Sequence, residues 1–184
     1  MPELVDYSGK FDPKFSYDKF SKETLLKLLK AYSECMQRID GFWYLAVMGK
    51  WGNDEALDCD VSVWDKAKRS EMRTISNLLN INGHDVATVV KYLQVQPWSW
   101  INHAEIDIKN NNHAILVSRQ CPTLASIEKE GKGREKQQCG IACSKILPFV
   151  SSYFNPNIKV TPLKLPPRKN KNDICCQWEF KLER

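Results

Sequence analysis

Histidine is scarce in this chain, three residues in 184, and no two of its seven cysteines stand in a Cys-x-x-Cys pair. The spacings of zinc ribbons and dithiol oxidoreductases are therefore missing. The sequence also has no HExxH, no GxSxG and no phosphate-cradling glycine loop. Zinc proteolysis, serine-esterase chemistry and nucleotide hydrolysis accordingly lack support. No apolar run approaches the roughly 20 residues that span a bilayer, so no membrane partner is expected. The opening Met1-Pro2-Glu3-Leu4-Val5-Asp6 shows no basic-then-apolar signal pattern, and a cytoplasmic location is expected. An odd cysteine count in a reducing compartment reads as thiols or thiolate ligands rather than a disulfide frame.

The chain carries an ordinary globular composition, 42% hydrophobic and 27% charged, with a formal net charge of +5. Two loop-like stretches hold much of the basic excess: Lys129, Lys132, Arg134 and Lys136, then Lys164, Arg168, Lys169 and Lys171. No contiguous basic face interleaved with aromatics appears, so nucleic acid is not an expected partner.

Periodicity divides the chain near residue 100. After an extended N-terminal arm, Ser21 caps a helix to about Ile39, with Leu25, Leu28, Leu29, Tyr32, Met36 and Ile39 as its buried stripe. Asp40-Gly41 is expected to break it before a short helix over 42–48. A further helix runs from about Asn53 to Asn80, with Val61, Trp64, Ile75, Leu78 and Leu79 inward. Asp85 caps another that Pro97 closes. Alternation at 104–109, an asparagine turn and Ala114-Ile115-Leu116-Val117 then predict a β-hairpin. Pro122 opens a helix to Glu130, a longer helix covers about 138–154, and two strands follow near 158–163 and 174–182. In the last strand Cys176, Trp178, Phe180 and Leu182 share an inward face, which leaves Cys175 toward solvent or a partner. The expectation is one α+β domain over 1–184: a helical layer (1–100) packed on a small antiparallel sheet with two helices (101–184).

The chemistry lies in the last third. Cys139 and Cys143 are four apart on a predicted helix, Cys176 is in the closing strand and Cys121 stands where a strand meets a helix. Together with Cys121 or a carboxylate such as Glu128, these thiols would complete a tetrahedral zinc site or hold an iron–sulfur cluster. Buried inert thiols are the competing reading. Cys121 is also the candidate catalytic nucleophile, because a helix N-terminus lowers a thiol pKa and Arg119 would add to the effect. Such a nucleophile wants a base, and only His103 and His113 are near in sequence. Trp98 and Trp100, between the two layers, and Trp178 on the inward strand face would wall a small-molecule cavity. Asp58 and Asp60 do not share a helix face, so they form no catalytic carboxylate pair by themselves.

The order helices, hairpin, helix, cysteine-bearing helix and two strands resembles the 4-vinyl-reductase-type small-molecule-binding domain over about residues 103–183. Asp40-Gly41-Phe42-Trp43, Asp58-x-Asp60, Trp64, Pro97-Trp98, Cys121-Pro122 and Cys176-Gln177-Trp178-Glu179-Phe180 look like prokaryotic cytosolic proteins related to L-2-amino-thiazoline-4-carboxylic acid hydrolases. The first resemblance implies a closed apolar pocket, dimerisation and in some members a zinc held by cysteines and a carboxylate. The second implies a hydrolase of small cyclic thioamidine or amide acids. The chain has Pro162 and Leu165 where such relatives place cysteines before the Pro166-Pro167 loop, so ligands from that loop are replaced or the metal is lacking. Carried over are Cys121, Cys139 and Cys176. The expected function is a homodimeric small-molecule-binding protein with a cysteine-based metal site. A hydrolase and a non-catalytic interaction protein stand as alternatives.

Overall fold

The computed structural model describes residues 3–183; part of the N-terminal stretch read for an export signal lies outside them. An arm over residues 4–20 folds back on itself, with Leu4 bridged to Phe20 and a cluster of Tyr7, Phe15, Tyr17 and Phe20 rings. Helix α1 (Lys22–Trp51) then begins at the Ser21 cap, whose Oγ accepts from the Thr24 N–H at 3.2 Å.

α1 does not stop at Asp40-Gly41 but runs through it for 30 residues. A glycine in a helix interior costs about 1 kcal/mol, and tertiary anchors on either side outweigh that. Asp40 accepts from the Trp64 indole at 2.9 Å, and buried Tyr44 donates to the Asn53 side chain at 2.8 Å. The expected buried stripe is also displaced. Ser33 and Tyr44 are the buried positions of α1, while Leu29, Tyr32 and Ile39 are exposed.

Helix α2 (Asn53–Leu79) packs antiparallel on α1 after a turn at Gly52, whose φ of 98° suits glycine. Its buried row is Ala56, Leu57, Asp60, Lys68, Met72 and Ser76. Leu78 and Leu79, expected inward, are exposed because the row turns away from the core past Ser76. Helix α3 (Val86–Val95) starts at Asp85, which accepts from the Thr88 N–H, and sinks almost wholly into the core. A 3-10 turn over Pro97–Trp100 leads to the sheet.

The sheet has the order β1-β2-β4-β3, all antiparallel: β1 (His103–Asn110), β2 (His113–Gln120), β3 (Ile158–Lys164) and β4 (Cys176–Leu182). Register pairs Leu116 with Trp178 and Ser118 with Cys176. One sheet face therefore presents Leu116, Ser118, Cys176, Trp178 and Phe180 to the helices, as the alternation of β4 predicted. Between β2 and β3 come α4 (Pro122–Glu130), α5 (Glu135–Gln138), a π-helical turn over Cys139–Cys143, and α6 (Ser144–Phe154). Pro148 inside α6 has no N–H and crowds the carbonyl a turn before it. The wide π turn just upstream loosens the helix on that side. The main core joins α2, α3, α6 and the sheet; a second cluster joins Tyr44, Ala56, Leu57 and Ala142. The chain is thus α+β, with the helical half preceding the strands. Among the described residues no helix is long and apolar enough to cross a membrane.

Candidate ligand pocket

A cavity of about 570 Å³ opens where α1, α2 and the Pro97–Trp100 turn meet the sheet, α4 and the π turn. Its apolar walls come from Leu116, Ile146, Leu147, Val150 and Trp178. That size and lining suit a small organic molecule.

The four thiols singled out by their sequence positions all line this one cavity. Cys121 stands at the end of β2, Cys139 and Cys143 at the two ends of the π turn, and Cys176 at the start of β4, beside Ser118. Burial pushes the Cys139 thiol up to about 12, and its neighbours Cys121 and Cys176 push in the same direction. Burial, more than the neighbouring thiols, likewise takes Cys176 up to about 11 and Cys143 well above its ordinary value. All are protonated near neutral pH. Among the described residues no group of three or more His, Cys, Asp or Glu side chains stands in a metal-holding arrangement. The donor types suit a soft metal, but the thiols as placed do not form a preformed site.

Cys121 caps α4 as its position suggested, accepting from the Leu124 N–H at 3.4 Å. The expected acidification does not follow. Burial raises its pKa and outweighs the capping N–H, which acts the other way. Arg119 also lines the cavity, but its guanidinium is taken by Glu105, to which its Nε donates at 2.7 Å. His113 is occupied by Glu179 at 2.9 Å, and His103 lines the cavity without a hydrogen bond to Cys121. Glu128, weighed as a metal ligand, is held by the Arg168 guanidinium, whose Nε donates at 2.8 Å.

Cys175 corrects the outward reading: it is buried, its thiol donating to the Arg119 carbonyl at 3.2 Å and accepting from Arg168 at 3.7 Å. Cys175 precedes β4, and the Arg168–Glu128 pair closes over it. Of the three tryptophans proposed as walls, Trp98 and Trp178 line the cavity and Trp100 does not.

Sequence reasoning missed the polar part of the pocket. Asp40 and Asp60, on facing helices, both line it beside Trp64 and Gln138. Burial, with the charge of Asp40 adding to it, raises the Asp60 carboxyl to about 7. Its Oδ2 accepts from the Gln138 Nε2 at 3.3 Å. Lys68, also buried, places its Nζ 2.7 Å from both Glu71 and Gln96 and 5.5 Å from the Trp64 ring centre. Burial pulls the Lys68 ammonium below its usual range, against the opposing pull of Glu71. The signal was present in α2: Asp60, Trp64, Lys68 and Met72 recur every four residues, which sets two charges on the buried row.

Residues 18–182 match the pattern of a family of unknown function, DUF6125. No curated protein and no solved structure matches the chain.

Proposed function

This chain belongs to the DUF6125 family, and we propose that it binds a small organic molecule in the cavity between its helical layer and its sheet. The observation that carries the reading is the convergence of apolar walls, three tryptophans and a few buried polar groups on one space of about 570 Å³. Its seven free cysteines suit a reducing cytoplasm. The test is a thermal-shift and tryptophan-quench screen of small aromatic ligands on wild type and on Leu147→Trp, which fills the cavity. Ligands should stabilise the wild type and leave the filled variant unmoved. Equal shifts in both proteins overturn the assignment.

A second reading places a soft metal, zinc or an iron–sulfur cluster, on the wall formed by Cys121, Cys139, Cys143 and Cys176. What favours it is four thiols from three parts of the chain facing one space; side-chain rotation and loss of the thiol protons would have to accompany loading. Metal analysis of anaerobically purified protein decides it. Substoichiometric zinc and iron, with Cys139→Ser and Cys176→Ser as stable as wild type, removes it.

The hydrolase alternative is less favoured by the geometry, because Cys121 is a protonated thiol with no base bonded to it. As a partner we propose a second copy of this chain, docked on the exposed apolar face of α1.

A further inference from the structure

Beside the thiol wall the cavity also holds buried polar groups, Asp40, Asp60 and Gln138, that nothing so far uses. Asp60 is 5% exposed and Gln138 8% exposed, yet both line the cavity. The Gln138 amide is placed with its Nε2 donating to the Asp60 Oδ2 at 3.3 Å. Its Oε1 is consequently left buried with no donor. A buried carbonyl oxygen without a partner costs stability unless something supplies a hydrogen. Asp60 shares the need: its donors are the Gln138 amide at 3.3 Å and the Trp64 indole, on which Asp40 also draws, and Asp40 carries the same sign of charge. The Trp64 indole N–H goes to Asp40, at 2.9 Å. Acceptors therefore outnumber donors among these groups.

Lys68 does not relieve the deficit. Its ammonium is held by Glu71 and Gln96, each at 2.7 Å. Arg134 is held by Glu130 and lies over the Tyr44 ring, 5.2 Å from its centre. What the site lacks is a compact positive donor, and what surrounds it is aromatic: Trp64 and Trp98 meet edge to face with centres 5.5 Å apart. Indole rings favour a cation nearby.

We infer that the ligand of this cavity is a primary amine with an aromatic or other apolar body, its ammonium seated against Asp60, Asp40 and the Gln138 Oε1. This deepens the small-molecule reading and rests on it. An ammonium has three N–H donors, enough to serve both carboxylates and the orphaned amide oxygen. Its apolar body would lie toward Leu116, Leu147 and Trp178. A carboxylate head is disfavoured, because it would meet two like charges and an unpaired carbonyl.

The proposal carries a pH dependence. The groups facing Asp60 are Asp40 and Tyr44 from α1, Trp64 on its own helix, Gln138 from α5 and Cys143 from the π turn. Burial raises the pKa of Tyr44 and of Cys143, so both stay neutral near pH 7. Ammonium binding then follows Asp60 ionisation and strengthens about tenfold between roughly pH 6 and pH 8 for a group at about 7.

The experiment titrates the full chain by calorimetry with three probes of similar shape: 2-phenylethylammonium, neutral 2-phenylethanol and anionic 3-phenylpropanoate. The ammonium should bind at least about tenfold more tightly than the alcohol, and the anion more weakly than either. Asp60→Asn, which keeps the shape, should erase the ammonium's advantage and its pH dependence while leaving the alcohol unchanged. Should that variant fail to fold, Gln138→Met must weaken the ammonium alone. Equal binding of ammonium and alcohol, or tightest binding of the anion, overturns the ligand class and leaves the cavity assignment standing. Failure of all three probes to bind overturns both.

Discussion

Asp60 is a carboxyl that folding makes harder to ionise. Its ordinary value of 3.8 rises to about 7 in the folded chain, first through burial and then through the charge of Asp40. Between those two values the folded protein keeps a proton that the unfolded chain has released. Stability therefore falls as pH rises through this window, and levels off above it. The ceiling on the effect is about 4 kcal/mol. Asp60→Asn should raise the melting temperature at about pH 8 and leave it near wild type at about pH 4. An equal gain at both pH values would show that the carboxylate charge is not the cause. Cys121 is set by the same balance of burial against local donors. Because burial wins there, iodoacetamide should label Cys121 more slowly than exposed Cys59 near neutral pH. Mass spectrometry of tryptic peptides reads the ratio. Faster labelling at Cys121 would restore an activated thiol and with it the hydrolase reading.

At the scale of elements, α1 holds its helical path across Gly41 through contacts made far along the chain. A Cβ at Gly41 would meet nothing within 4 Å. Gly41→Ala should thus stabilise the protein by about 1 kcal/mol, a rise of about 2–4 °C in melting temperature for a chain of this size. No rise in a calorimetric melt would mean that the helix relaxes at that point in solution. The same helix marks the limit of what was legible in the sequence. Helix α3, the start of α2, the hairpin and the inward face of β4 follow from caps, turns and a period of two or 3.6, all of them local. The convergence of Cys121, Cys139, Cys143 and Cys176 was also readable, because a strand end, a helix face and a closing strand on one sheet leave them few other places to meet. The continuity of α1 depends on Asp40 meeting Trp64, 24 residues away, which no local pattern carries. Cys175 was misread because strand alternation was extended one residue past the start of β4, where the Arg168–Glu128 pair, 40 residues apart, decides burial instead. Asp60 escaped notice because it was weighed against its sequence neighbour Asp58, whereas its partner in space is Asp40.

At the scale of the whole molecule, α1 leaves an apolar face largely exposed, touched by the N-terminal arm where the Tyr17 and Tyr32 hydroxyls meet at 3.1 Å. Leu29, Tyr32, Ile39, Phe42 and Trp43 are all at least 37% exposed. Leu25, Leu29, Tyr32, Met36, Ile39 and Trp43 recur at alternating spacings of four and three, the repeat of a coiled-coil seam. That seam is complementary to itself when two copies run antiparallel: Leu25 meets the partner's Trp43, Leu29 the partner's Ile39, and Tyr32 the partner's Met36. On one flank Leu28 then faces the partner's Phe42, and Cys35 faces the partner's Cys35. The other flank, with Ser33 and Asp40, is already turned toward the chain's own body. The seam extends about 27 Å along the helix, and a stable dimer needs about 800 Å² from each copy. Seam and flank must both be used, so association in the micromolar range is expected. Sedimentation equilibrium should show a dimer at roughly 100 μM, and a short bismaleimide should join the chains through Cys35. Ile39→Lys should abolish both and leave the melt of the monomer unchanged, since Ile39 is 68% exposed. A wild-type monomer at that concentration, or a dimer indifferent to Ile39→Lys, would remove α1 as the interface.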